Sequence, residues 1–169
     1  MKTSKSHQIW KFGAALLGLS MAVTTLNGCS KIQSWLQSKQ EIAWRKEGMD
    51  VALAEAKKTN RPLFVYWGAV WCPPCNVIKA KVFPHPEFKS ALSSFIPVYL
   101  DGDTESAQSW GEKLNASGYP TLMILSPEGK EVVRLSTNVS AEEMAETLKD
   151  AYNVLSPVPD LMNNILAGE

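Results

Sequence analysis

The stretch YWGAVWCPPC, Tyr66 to Cys75, sets two cysteines two residues apart, between an apolar run and the start of a helix. Leu63 to Trp67 (LFVYW) is short, continuous and rich in β-formers, the pattern of a strand buried on both faces. Pro73 to Val82 reads as a helix that opens with prolines, tolerated there because first-turn N–H groups have no intrahelical partner. The cysteines therefore sit at a strand-to-helix junction.

Three chemistries compete for that pair, and spacing alone does not separate them. Closed zinc sites take about four ligands, whereas the chain after its leader, with Cys29 set aside as a lipidation site (below), offers two thiolates and one imidazole, His85. A structural disulfide stabilises more as the loop it closes lengthens, and this loop is very short. Thiol–disulfide exchange has a physical basis at the same residues. Cys72 would stand at a helix N-terminus, where the macrodipole and free N–H groups favour the attacking thiolate. Cys75, one turn on, could resolve the mixed disulfide. The two prolines stiffen the turn but remove two N–H donors, leaving the N–H of Cys75 as the main backbone donor to Cys72.

Working outward, Asp50 begins a helix with an acidic cap and Lys57 and Lys58 in its last turn, stopped by Arg61-Pro62. Phe95 to Leu100 reads as a second buried strand. Thr104 to Leu114 reads as a helix with Trp110 facing inward. Thr121 to Leu125 and Glu131 to Leu135 form an antiparallel pair across the turn signal Ser126 to Lys130. Ser140 to Leu155 is a helix with a capping box, Ser140 and Glu143, and Met144, Leu148, Ala151 and Leu155 on one face.

Seventeen basic residues balance seventeen acidic ones, so no overall field argues for nucleic acid as a partner. With 45% hydrophobic residues, the chain can build one domain with a real core. Residues 1–28 read as an export signal. Lys2, Lys5 and Lys11 precede the apolar Phe12 to Leu26, which is shorter than the ~20 residues of a membrane span. The stretch ends in Leu26-Asn27-Gly28-Cys29, which resembles the bacterial lipobox, although Asn27 is an unusual occupant. Lipidation of Cys29 would leave Cys72 and Cys75 as the only thiols and anchor the protein to a membrane; a plain signal peptide or an uncleaved anchor is the alternative. Ser30 after the modified Cys would favour the outer membrane. Residues 29–41 read as a tether, 42–155 as the domain and 156–169 as a C-terminal tail.

Trp71-Cys72-Pro73-Pro74-Cys75 after a buried strand, Gly118-Tyr119-Pro120-Thr121 before a later one, and Asp101 at the end of the strand between them resemble the thioredoxin-fold family over roughly Ile42 to Leu155. The resemblance implies an α/β domain with a central mixed β-sheet flanked by helices. It also implies a redox-active disulfide between Cys72 and Cys75, and a cis Pro120 beside it. Tyr119 would pair through its backbone with the substrate, Trp71 would border the groove, and Trp67 would be packed. Trp44, the run from Arg61 to Cys75 and VFPHPEFKSAL are most similar to periplasmic thioredoxin-like proteins and to the C-terminal domain of the thiol reductase DsbD. That implies reduction of exported proteins, with their thiols or disulfides as partners and a membrane electron donor of the DsbD type. No cofactor and no metal are called for. One departure stands out: many thioredoxins carry a buried Asp six residues before the first motif Cys, and here that position is Tyr66, read as core packing.

The remaining candidates are bland. His85 reads as a surface-loop histidine. Copper-delivery proteins of the same fold usually space their cysteines by three residues and place a His late in the chain, and both features are missing. Asn115 and Asn138 match glycosylation acceptors by chance. A cysteine protease would need a base against its Cys, and His85 between two prolines does not supply one. A non-catalytic binding or assembly lipoprotein of the same fold remains the alternative class, with a copper-delivery protein a third reading.

Overall fold

The structure is a computed structural model that describes residues 41–156. The leader, Cys29, the tether up to Gln40 and the tail from Pro157 lie outside the described residues. The elements run α1 (Met49–Thr59), β1 (Leu63–Gly68), α2 (Pro73–Lys81), α3 (Pro86–Leu92), β2 (Ile96–Asp101), α4 (Glu105–Lys113), β3 (Thr121–Leu125), β4 (Glu131–Leu135) and α5 (Ala141–Leu155).

Strand order in the sheet is β2-β1-β3-β4. β1 pairs parallel with β2, Tyr66 opposite Tyr99, and antiparallel with β3, Tyr66 opposite Leu122. β3 and β4 form the expected hairpin. All six residues of β1 are buried, so its alternating side chains feed two cores. Phe64 and Tyr66 join Leu122 and Ile124 beneath α2, α3 and α5, with Ile78, Phe88, Met144 and Leu148. Leu63, Val65 and Trp67 join Ile96, Val98, Met123 and Leu125 against α1 and α4. The result is a three-layer mixed α/β domain of the expected class.

Two readings need correction. Gly48, not an acidic residue, is the N-cap of α1; its φ of 106° belongs to the region glycine tolerates, and Asp50 lies inside the first turn. The helix ends on Asn60 in the left-handed conformation, just ahead of Arg61-Pro62. The second correction is α3, which the sequence reading left out: His85 is its N-cap and Pro86 opens it. The helix buries Phe88, Ala91 and Leu92, and its Phe88 ring stacks on Phe83 at 5.3 Å. Trp110 faces inward only in part: it is half-buried against the α1/α4 core, with the Lys113 ammonium 4.4 Å over its ring.

The segment before α1 straps the edge of the sheet. Arg45 bridges Val98 in parallel fashion. Its N–H donates to Pro97 O at 2.8 Å, and its carbonyl accepts from Tyr99 N at 3.0 Å. The guanidinium forms a two-bond pair with Glu55 of α1, at 2.8 and 2.9 Å, which raises the Arg45 pKa and lowers that of Glu55. Trp44 is thereby laid over Phe64, Tyr66 and Phe83, with ring centroids 5.2 to 6.1 Å apart.

Candidate functional site

β1 ends at Gly68, and the chain leaves the core through Ala69 to the exposed Val70 and Trp71 before turning into α2. Cys72 is the N-cap of that helix, with extended backbone (φ −77°, ψ 114°) and both prolines directly after it. Its sulfur accepts the N–H of Cys75 at 3.3 Å; with the prolines lacking N–H groups, this is the donor the sequence left available. The two cysteines are disulfide-bonded, their Cα atoms 5.2 Å apart. Cys75 is 0% exposed and Cys72 3%, so what little access the bridge has is at Cys72. When the bridge is reduced, the helix N-terminus and the Cys75 N–H favour thiolate at Cys72.

Trp71, Tyr119 and Pro120 come together as a rim. The Tyr119–Pro120 bond is cis. Thr121 Oγ1 donates to Gly118 O at 2.7 Å, closing the loop that carries it. The Tyr119 ring lies 4.2 Å from Trp67 and meets Trp71 edge-on at 5.7 Å. Trp67 is packed as expected, its Nε1 donating to Ala107 O at 3.1 Å. Trp71 is 62% exposed, with its indole N–H on Asp103 Oδ1 at 2.8 Å. Asp101 ends β2 and accepts from the Asp103 N–H at 3.2 Å.

The sequence reading missed the residues that hold this rim. Gln108 Nε2 donates to the Tyr119 hydroxyl at 2.6 Å and also to Gly102 O. The hydroxyl donates in turn to Gly102 O at 3.1 Å. Gly102 is required here, because a Cβ would overlap the phenol ring. The available signal was Thr104, whose side chain caps α4 by accepting from Ala107 N and so fixes where Gln108 falls.

Tyr66 is core, as read. It is 2% exposed, stacks on Tyr99 at 5.2 Å and meets Phe83 edge-on at 5.2 Å. Its hydroxyl has no hydrogen-bond partner among the described residues, and its ring crowds the space a Cβ on Gly68 would need. Burial, followed by the neighbouring Tyr99 and Asp101, pushes its pKa up to about 12. A phenol so held stays protonated at neutral pH and cannot take a proton from Cys75. His85 is exposed, with Nδ1 3.5 Å from Glu87 and 3.7 Å from Glu142. That cluster belongs to the α3–α5 surface. No helix among the described residues is long and apolar enough to cross a membrane.

A strand that delivers a bridged Cys pair to the N-terminus of a helix, with a cis proline loop before the next strand, defines a class of α/β domain. The thioredoxin-like family model matches residues 43–127, and the chain belongs to that family. It is 29% identical over 107 residues to thiol:disulfide interchange protein DsbD 1 of Pseudomonas aeruginosa, an alignment covering 61% of this chain and 18% of that protein. The chain thus spans less than a fifth of that relative's length. Among solved structures it is similar to a thioredoxin from Thermus thermophilus (27% identity, TM-score 0.56, covering 68% of this chain and 88% of that one). It is also similar to a putative disulphide-isomerase from Bacteroides thetaiotaomicron (26%, TM-score 0.56, covering 66% and 93%).

Tyr66 gives a signed pH prediction. Below the ordinary tyrosine value of 10.0, folded and unfolded chains both hold the phenol proton, and the residue's contribution is fully present. Above it the unfolded chain releases the proton while the folded chain keeps it to about 12, so stability falls across that window. The gap corresponds to about 2–3 kcal/mol. Denaturant unfolding of Tyr66→Phe at pH 8 should show equal or greater stability than wild type, because the lost hydroxyl had no partner among the described residues. Between pH 10 and 12 the variant should lose about that much less. Identical alkaline profiles would refute this account of Tyr66.

Proposed function

We propose that this protein is an extracytoplasmic thiol–disulfide oxidoreductase, anchored to a membrane by lipid on Cys29, that reduces disulfides in exported proteins. The observation that carries the proposal is the placement of Cys72 at the α2 N-cap, its sulfur on the Cys75 N–H, while Cys75 is wholly enclosed. The DsbD relative, a thiol:disulfide interchange protein by name, supports the same reading.

In the reduced protein the Cys72 thiolate attacks one sulfur of a substrate disulfide. A Cys72–substrate bond forms, and the other substrate sulfur leaves as a thiolate and takes up a proton. Cys75 then gives up its proton and attacks the Cys72 sulfur, closing the bridge and releasing the second substrate sulfur, which is protonated in turn. Two electrons pass from the Cys pair to the substrate. A membrane dithiol donor of the DsbD type must return them for turnover. The proton from Cys75 goes to the departing thiolate or to water, since Tyr66 is already protonated. Trp71, Tyr119 and Pro120 border the groove in which the substrate chain lies.

Three experiments test the parts separately. Cys75→Ala should accumulate mixed disulfides with exported proteins on non-reducing gels and Cys72→Ala should not; the reverse pattern would overturn the roles. Equilibration against a thiol buffer should place the couple near the roughly −270 mV of thioredoxin, whereas a value near about −120 mV would make the protein an oxidant. Cys29→Ser should shift the protein from the membrane pellet to the soluble fraction, and an unchanged distribution would remove the lipid anchor.

A further inference from the structure

Beside the redox loop, on the α2 side of the sheet, lies a pocket of about 210 Å³ that the exchange chemistry does not use. Trp44, Tyr66, Phe83 and Tyr99 wall it, and Lys46 and Lys79 line it. Neither lysine forms an ion pair among the described residues. Its remaining edge is Val70, two residues before Cys72, whose carbonyl accepts from Asn76 Nδ2 of α2 at 3.4 Å. The pocket lies at the β2 edge of the sheet, where Tyr66 is buried against Trp44 and Phe83 but its neighbour Tyr99 is left half-buried.

Size decides what such a pocket can hold. Small-molecule sites begin at about 300 Å³ and enclose most of their ligand, while a cavity of about 150 Å³ holds a benzene. A pocket of about 210 Å³ suits one aromatic side chain delivered by a larger body. Of the four rings that wall it, the half-buried Trp44 and Tyr99 are the two open to stacked or edge-on contact. The lining itself is almost wholly apolar. Lys46 and Lys79, which have no ion pair among the described residues, put positive charge at its margin and favour a carboxylate beside the ring rather than in the pocket. Val70 makes the pocket continuous with the loop where a partner chain must come to reach Cys72.

We infer that this pocket receives an aromatic side chain, next to an acidic residue, from the polypeptide that exchanges with Cys72. It is a second anchor, apart from the groove at Tyr119 and Pro120. The inference rests on the exchange reading for the identity of the partner, but filling the pocket requires no sulfur chemistry, so the two can fail separately.

The test uses the full-length protein and short peptides in which a Phe-Asp pair, or an Ala-Asn control, lies at varied distances on either side of one position. With serine at that position, binding is read by tryptophan fluorescence, Trp44 being a wall of the pocket. At the best spacing Phe-Asp should bind about tenfold tighter than Ala-Asn. The Lys46→Glu/Lys79→Glu double variant should lose the part of that gain due to Asp. With a disulfide-bonded cysteine at the same position, the preference should reappear as a lower KM. Reduction of bis(2-hydroxyethyl) disulfide, which has neither ring nor charge, should be unchanged in the double variant. Equal affinity for both peptides at every spacing would overturn the inference. So would tight binding of free benzoate with no gain from presenting the ring in a peptide. A binding preference with no reduction of either disulfide would uphold the pocket and overturn the exchange reading.

Discussion

The site depends on the saturation of β1. The strand is hydrogen-bonded on both edges, to β2 and β3, and covered on both faces, so it has no freedom to slide or tilt. A one-residue slip would exchange Tyr66 and Trp67 between the two cores and reverse every side chain on the strand. Because its C-terminal end is fixed, the turn through Ala69 to Trp71 emerges at one place. Cys72 then falls where the first turn of α2 needs an acceptor. Gly102 N–H donates to Gly68 O at 2.8 Å, tying the end of β1 to the loop after β2, from which Asp103 reaches Trp71. One rigid strand thus positions the sulfur and the rim together.

Adjacent residues on that strand serve opposite layers. Trp67 supports Tyr119 from below and is itself fixed through α4, whose Gly111 leaves room for the indole. Tyr66, one residue earlier, belongs to the aromatic cluster of Trp44, Phe83 and Tyr99, where it puts a neutral group. The hydroxyl there has no partner among the described residues, while the ring packs against Trp44, Phe83 and Tyr99.

What could be read from the sequence followed the range of the interactions involved. The β3 and β4 bounds, the capping box at Ser140 and Glu143, and the strand-to-helix junction at the cysteines are set by neighbours in sequence, and they were legible. α3 was not, because Pro86–Leu92 is too short to show a period, although Pro86 and Glu87 in its first turn are ordinary start signals. The α1 cap was misread because Asp50 attracts attention while Gly48 contributes only backbone freedom. Asp103, Gln108 and Gly102 escaped notice for a different reason. Their partners Trp71 and Tyr119 lie 32, 11 and 17 residues away, a closeness created only by the sheet.

The strap at Arg45 has a consequence for how copies of this protein meet. An uncovered edge strand is a template on which another chain can pair. Here the β2 edge already has its backbone partner in Arg45, held from α1 by Glu55. The opposite edge, β4, carries the charged and exposed Glu131 and Arg134. On the lipid anchor proposed for Cys29, copies would meet at far higher density than in free solution. With Pro97 O and Tyr99 N of one border bonded to Arg45 and the other border charged, both edges of the sheet resist pairing between copies.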